Sequence, residues 1–500
     1  MHLTLFSLGD YCGLLDELGQ LAAPLPDGLD LDRTVELVSY HSKEAVPGTL
    51  FICKGAHFKP DYLADAARRG AFAYVSETAY PEAGLPCILV KDMRRVLAPL
   101  AVKYYNEPSQ KLKVIGVTGT KGKSSTAYYL KHILDELLAP QGKSCGVISS
   151  IDTWDGVERF ESHLTTPEPL ELQKHFAHAA ASGMEYLVME VSSQALKYHR
   201  TLGTRFAAAA FLNIGADHIS PIEHPDFEDY FGSKLKIFAQ ADFSCVNLDC
   251  EHAAEALESA RSACGTVLTF SRQNPAAAVY GSNVRKVGHD ILFQADAAQL
   301  SGQYRLTMPG LFNVDNALAA IAVCRGLDIP KQAVLDGLSK ARVPGRMEVY
   351  SNAAGDVTAI VDYAHNGASF ESILSALAEH HPSRILLVFG AGGDRPKMRR
   401  TDMARAAARW ADYAVLTADN PRSERVEDIC SDIAAALGDA IPWEIIPDRR
   451  AAIFRALSMA EPGDAVALLG KGHEGYIEEN GVRRPWSEQG AVEEYFAVQR

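Results

Sequence analysis

Gly116-Val117-Thr118-Gly119-Thr120-Lys121-Gly122-Lys123-Ser124-Ser125-Thr126 is the stretch from which this chain is read. An apolar run, Leu112 to Val117, precedes it and has the composition of a buried strand. Ala127 to Leu138 follows with apolar residues at helical spacing. Strand, glycine-rich turn and helix together aim backbone N–H groups and a helix N-terminus at phosphate. Gly116, Gly119 and Gly122 are expected to bring the backbone close to an anion and to adopt positive φ. Gly119 to Ser125 is the predicted phosphate cradle, with Lys123 on the β- and γ-phosphates and the Ser124 hydroxyl on Mg²⁺. The spacing is not the usual Walker A: Val117 stands five residues before Gly122, and the first glycine lies one position earlier. By itself the stretch specifies a nucleoside triphosphate site.

The chain around it has 500 residues, enough for roughly three domains. Its 47% hydrophobic and 22% charged residues suit large buried cores. The formal net charge of −14 argues against wrapping nucleic acid or lying on an anionic membrane. No apolar run approaches a membrane span. The N-terminus lacks a basic start and carries Asp10 early, a poor signal peptide. Nine scattered cysteines without Cys-x-x-Cys read as reduced thiols of a cytoplasmic protein, and Cys245 and Cys250 lack further ligands of matching spacing.

Working outward, Gly48 to Gly55 reads as strand then turn, Pro60 to Gly70 as an amphipathic helix, and Ala71 to Val75 as a strand. Tyr105 to Ser109 is a proline-broken linker. Strands are predicted at Lys113–Val117, Tyr186–Val191, Ala207–Ile214 and Phe243–Leu248, between helical patterns. Fully apolar strands so arranged imply a mainly parallel sheet covered on both faces, with its site beyond the carboxyl ends of the strands. Glu190 and the segment Asn213 to His218 fall there, a carboxylate and an imidazole suited to Mg²⁺ and phosphate. A third segment alternates again, with strands at Thr358–Val361, Ile385–Phe389, Tyr413–Leu416 and Ala465–Leu469, and no Gly-x-Gly-x-x-Gly in place for a dinucleotide. The polar loops Gly392–Arg395, Asp419–Arg422 and Gly470–Glu474 follow three of these strands and can line one cleft.

The phosphate loop resembles that of the Mur ligases and their folylpolyglutamate synthetase relatives, written GxxGTxGKT/S. Glu190-Val-Ser-Ser-Gln-Ala-Leu196, Asn213-x-x-x-Asp217-His218 and Asp229-Tyr-Phe-Gly-Ser-Lys234 match Mur ligase motifs in order and spacing. Gly310 to Ala317, Asp362-Tyr-Ala-His365, Asp419-Asn-Pro-Arg422 and Gly470-Lys-Gly-His-Glu474 extend the match over most of the chain. The resemblance implies three α/β domains: 1–110 for a UDP-sugar, 111–342 a P-loop parallel-sheet ATPase domain, and 343–500 a Rossmann-like domain for an amino acid, closing on their substrates. It implies one Mg²⁺ on Ser124 and Glu190 and a second held with His218 and a carbamylated Lys234. Lys236 is the nearby competitor but lies one step past the motif. Asn313 and Asn316 are implied adenine-side contacts, Asp362 a ribose contact, and Arg346 an interdomain arginine reaching the nucleotide. Thr165, Thr166, Ser192 and Arg200 would hold the muramoyl-dipeptide. Ser42 alone is kept from the UDP-binding stretch DSR, with His41 and Lys43 in the flanking places.

The implied function is ATP-dependent addition of the third residue to UDP-N-acetylmuramoyl-L-Ala-D-Glu in peptidoglycan precursor synthesis, by a cytoplasmic monomer with Lys123, Lys234, His218 and Arg346 as the catalytic set. Other readings are a switch-type P-loop NTPase, which needs neither the Asp419 nor the Gly470 loop, and a folylpolyglutamate synthetase-like ligase, which lacks a UDP-binding N-terminal domain. For the third residue, Arg395, Asp419, Asn420, Arg422, Gly470 and Glu474 are the implied contacts. Arg422 favours meso-diaminopimelate, whose second carboxylate it can grip bidentately. L-Lysine would leave that charge unpaired, at a cost on the order of 3–5 kcal/mol if buried. The middle of the chain, by contrast, looks closer to lysine-adding members.

Overall fold

A computed structural model describes residues 3–55, 58–215, 219, 223–288 and 290–498. The chain forms two compact units, one of Met1–Lys123, Leu134–Phe270 and Ala322–Ile329, the other of Ser124–Ile133, Ser271–Ile321 and Pro330–Arg500.

The first unit carries two larger sheets besides the short antiparallel pair Phe6–Ser7 and Thr34–Val35. Leu37–Ser39, Thr49–Ile52, Ala71–Ser76 and Cys87–Leu89 lie side by side in sequence order, all parallel. The helix Pro60–Arg69 connects two of them. Pro60 supplies its first turn, Leu63 and Ala66 its buried face, and Gly70 stops it at φ 113°. Only glycine fits there, because a Cβ would lie 2.7 Å from the Pro47 backbone. The second sheet orders its parallel strands Gly146–Ile148, Tyr186–Glu190, Lys113–Thr118, Ala208–Phe211, Phe243–Asn247 and Thr266–Ser271. A short antiparallel pair, Asp152–Trp154 and Arg159–Glu161, extends one edge. Lys113–Thr118 is first in sequence yet central in the sheet, so the strand order reverses beside it. Its carboxyl end is therefore the crevice where ligands bind in such folds.

The second unit contains an antiparallel meander, Val279–Val287, Asp290–Asp296 and Gly302–Leu306. Its larger sheet orders Glu348–Ser351, Thr358–Asp362, Ala465–Leu469, Ile385–Phe389, Tyr413–Leu416 and Trp443–Ile445, parallel except for the first. The three loops singled out from the sequence leave the carboxyl ends of three of these strands.

One conformational expectation is corrected. Gly119 (φ 156°) and Gly122 (φ 84°) have positive φ, but Gly116 does not. It lies inside Lys113–Thr118, where an added Cβ would sit 3.0 Å from the Phe206 ring. Gly116 is small for packing, not for a turn.

Candidate active site

The helix Lys123–Leu138 starts from Gly122, whose left-handed backbone turns the loop into the helix axis. Asn213 staples the loop from the neighbouring strand end. Its carbonyl accepts from Thr120 N–H, its Oδ1 accepts from Lys121 N–H, and its amide donates to Lys121 O. The Thr120 and Tyr230 hydroxyls are 2.9 Å apart. Lys123 Nζ donates to Gly119 O and Thr120 O, and Lys234 Nζ donates to the same Gly119 O at 2.9 Å. Two lysine nitrogens thus converge on one peptide of the glycine-rich loop. Lys234 is 1% exposed. Ser124 and Ser125 are buried in the first helical turn.

Glu190 ends its strand fully buried, its Oε1 accepting from the Ser150 N–H and hydroxyl. The expected dipeptide contacts surround it. Thr166 Oγ1 donates to Glu190 O and accepts from Ser192 N–H. Ser192 Oγ caps the helix Ser193–Lys197 by accepting from Ala195 N–H. Arg200 donates to Thr166 O and pairs with Glu168 at 2.7 Å. Thr165 is half-exposed beside this network. Glu168 also holds Lys54, which lies 4.2 Å over the Tyr40 ring, and Tyr40 donates its hydroxyl to Glu171. Lys54 and Tyr40 were not picked from the sequence, although Lys54 follows a parallel strand end. Ser42 bonds Asp65, holding that carboxyl below its ordinary range. Asp217 and His218 lie outside the described residues.

Among the described residues, one group of His, Asp and Glu has the proximity of metal ligands, and it is not the expected set. Asp155 Oδ2 lies 2.6 Å from His175 Nδ1 and 2.9 Å from His178 Nδ1, with Glu158 alongside. Burial pushes the Asp155 carboxyl up, but bonds from His175, from the Glu158 and Val157 N–H groups and from His178 outweigh it, leaving a pKa of about 2. These are hydrogen-bond distances, and the group staples the edge hairpin to the helix Pro169–Ala181. All nine cysteines are free.

In the second unit, Arg395, Asp419, Asn420, Arg422, Gly470 and Glu474 line one pocket, joined by Tyr363. Glu474 accepts from Lys471 at 2.5 Å, Asn420 at 2.8 Å and Tyr363 at 3.2 Å. Burial opposes its ionisation, yet Lys471, Asn420 and Tyr363 together bring its pKa below the ordinary value. Lys471 is fully enclosed and also donates to Asn420 Oδ1. It is the cation that sets the carboxylate, and the sequence reading gave it no role. Arg422 is half-buried in left-handed backbone (φ 51°), its Nη1 donating to Gly393 O at 2.7 Å.

Three expected nucleotide contacts prove to have structural partners. Asp362 is 4% exposed, and its carboxylate accepts from the Met347 and Ala364 N–H groups. It therefore braces the turn that presents Arg346, whose guanidinium lies 4.7 Å over the Tyr363 ring. Asn313 is wholly buried, donating to Pro309 O and accepting from Asn316, so the pair fixes the start of the helix Phe312–Gly326.

The chain matches the Mur ligase middle domain over residues 117–324 and the Mur ligase, glutamate ligase domain over 345–472. It is 38% identical to the UDP-N-acetylmuramoyl-L-alanyl-D-glutamate--L-lysine ligase of Enterococcus faecalis, over 99% of both chains. The enzyme of that name from Streptococcus pyogenes serotype M4 is also 38% identical, over 90% of this chain and 89% of the relative. Among solved structures, a UDP-N-acetylmuramoyl-L-alanyl-D-glutamate--2,6-diaminopimelate ligase superposes with a TM-score of 0.70 at 26% identity, covering 99% of each chain. MurF from Acinetobacter baumannii shares the fold, with a TM-score of 0.63 at 19% identity over 99% of this chain and 100% of that one. These relatives support lysine better than the diaminopimelate favoured from Arg422. The contacts of Arg422 bear on this: with Gly393 O as a partner and partial exposure, it is not the buried, unpartnered charge on which the penalty for lysine rested, and that penalty is smaller.

Proposed function

The chain belongs to the Mur ligase family of ATP-dependent ligases, and we propose that it adds L-lysine to UDP-N-acetylmuramoyl-L-Ala-D-Glu. The observation that carries the substrate is the 38% identity, end to end, to an L-lysine ligase. ATP phosphorylates the free D-Glu carboxylate; the amine attacks the acyl phosphate, and phosphate leaves the tetrahedral intermediate. Phosphoryl transfer needs positioning and charge neutralisation above all. Lys123 brings a cation to the phosphates, and the N–H groups of Gly119–Ser125 cradle them. In the amino-acid pocket, Glu474 stays ionised through Lys471 and Asn420 and receives an ammonium of the diamino acid.

Mg²⁺ belongs to this reading through Ser124, Glu190, His218 and Lys234. A buried carboxylate at a strand end beside a phosphate loop is the hard oxygen donor such an ion takes, and when bound it neutralises phosphate charge. Lys234 fits as a carbamate, formed when the neutral amine adds to CO₂ and releases one proton. The remaining N–H can keep its bond to Gly119 O. Residues 1–110, 111–342 and 343–500 would serve the UDP-sugar, ATP and the amino acid. Among the described residues no helix is long and apolar enough to cross a membrane. We place the enzyme in the cytoplasm, where ATP and UDP-linked precursors are.

A second reading, meso-diaminopimelate, is favoured by Arg422 and Arg395 lining the same pocket. Competition between the two amino acids decides. L-Lysine is expected to be used at least about tenfold better, as one poorly accommodated carboxylate costs roughly that much or more. Arg422→Ala is then expected to leave the KM for lysine within about threefold of wild type. Preferential use of diaminopimelate, with its KM raised by Arg422→Ala, would establish the second reading.

A further inference from the structure

The two loops that supply most of the amino-acid pocket leave strands that are not neighbours. Tyr413–Leu416 and Ala465–Leu469 are separated by Ile385–Phe389. Backbone pairing therefore cannot lock the start of Asp419–Arg422 to the start of Gly470–Glu474. Further along, Asn420 joins the loops by accepting from Lys471 and donating to Glu474, but at the strand ends where the loops begin it is Arg449 that spans the gap. Arg449 opens the helix Arg449–Met459, and its guanidinium has no solvent exposure. Nη1 donates to Ala418 O at 2.8 Å and Nη2 to Leu469 O at 3.1 Å, the carbonyls immediately before the two loops. Nε and Nη2 donate to the Glu488 carboxylate at 2.9 and 2.5 Å, so all three guanidinium nitrogens donate. Glu488 is equally enclosed and accepts from Trp486 Nε1 at 2.8 Å. Trp486 in turn donates its backbone N–H to Gly475 O, just past Glu474.

We propose that Arg449, backed by Glu488, is a positioning residue of the amino-acid pocket, setting the starts of the two loops in register. The inference rests on the reading of that pocket as the amino-acid site. Stability alone does not explain the pair, because well-packed apolar residues often replace a buried ion pair at no loss. What only arginine supplies is a rigid planar fork that reaches two carbonyls and a carboxylate at once. A small shift of either loop would displace Asn420 and Glu474 relative to each other. An error near 1 Å at a site can cost on the order of a hundredfold.

The test measures steady-state ligation by the full-length enzyme with Arg449→Lys, and with the apolar pair Arg449→Met/Glu488→Leu. Thermal melting followed by circular dichroism identifies the folded variants. In a folded variant the KM for L-lysine is expected to rise at least about tenfold, while kcat and the KM for ATP stay within about twofold. An unchanged KM for the amino acid in a folded variant would overturn the proposal. So would a parallel change of kcat and every KM, or loss of folding in both variants, since each marks a purely structural pair. Failure of the underlying reading looks different, because wild type itself would then show no amino-acid-dependent product.

Discussion

Lys123→Ala is expected to lower ligation at least about a thousandfold, the scale on which cations act on phosphoryl transfer. Lys123 opens the helix after Gly122, and its ammonium is folded onto Gly119 O and Thr120 O. That position lets it exchange two peptide carbonyls for phosphate oxygens without a change of backbone. The loop geometry does not depend on it: Asn213 and the positive φ of Gly119 and Gly122 hold the turn. The variant should therefore fold and bind the UDP-linked substrate normally. The check is amide product formed per enzyme, alongside calorimetric titration of the UDP-dipeptide. Near-normal ligation by the variant would remove the phosphate-loop assignment.

Lys234→Ala is expected to cost at least about a hundredfold, because it deletes a group placed against the loop rather than a surface charge. Lys234 is enclosed between Gly119 O and the Tyr230 ring, with its nitrogen 4.8 Å from the ring centroid. As an ammonium it would repel a cation; as a carbamate it offers an anionic oxygen. Small carboxylic acids at millimolar concentration should restore part of the activity, since they can supply that oxygen in the space the alanine opens. Arginine at the same position should not be rescued. Mass spectrometry of native enzyme after mild CO₂ trapping, finding Lys234 unmodified in active protein, would contradict the carbamate.

Those residues were legible because the information is local. A phosphate loop is written in consecutive residues, and parallel strands covered on both faces read as unbroken apolar runs. Ile385–Phe389, Tyr413–Leu416 and Ala465–Leu469 accordingly have the boundaries read from sequence. The antiparallel strands Val279–Val287 and Asp290–Asp296 did not stand out, because exposed and buried positions alternate within them. At the site, sequence located side chains but not their existing partners. Asp362, Ser192 and Arg200 occupy expected positions, yet each already serves a backbone group or a carboxylate of the protein. The partner of Arg422 was hidden for the same reason: its acceptor, the Gly393 carbonyl, belongs to another loop. Arg449 and Glu488 stand 39 residues apart in no recognised motif, so only the fold joins them.

Amide ligation driven by ATP is read directly from the product of the purified enzyme. With ATP, Mg²⁺, UDP-N-acetylmuramoyl-L-Ala-D-Glu and L-lysine, mass spectrometry should show the UDP-dipeptide heavier by one lysyl residue. Phosphate should appear in equal amount and depend on both acceptor and amine. Phosphate release that ignores the UDP-substrate, with no lysyl product, would rule out a ligase.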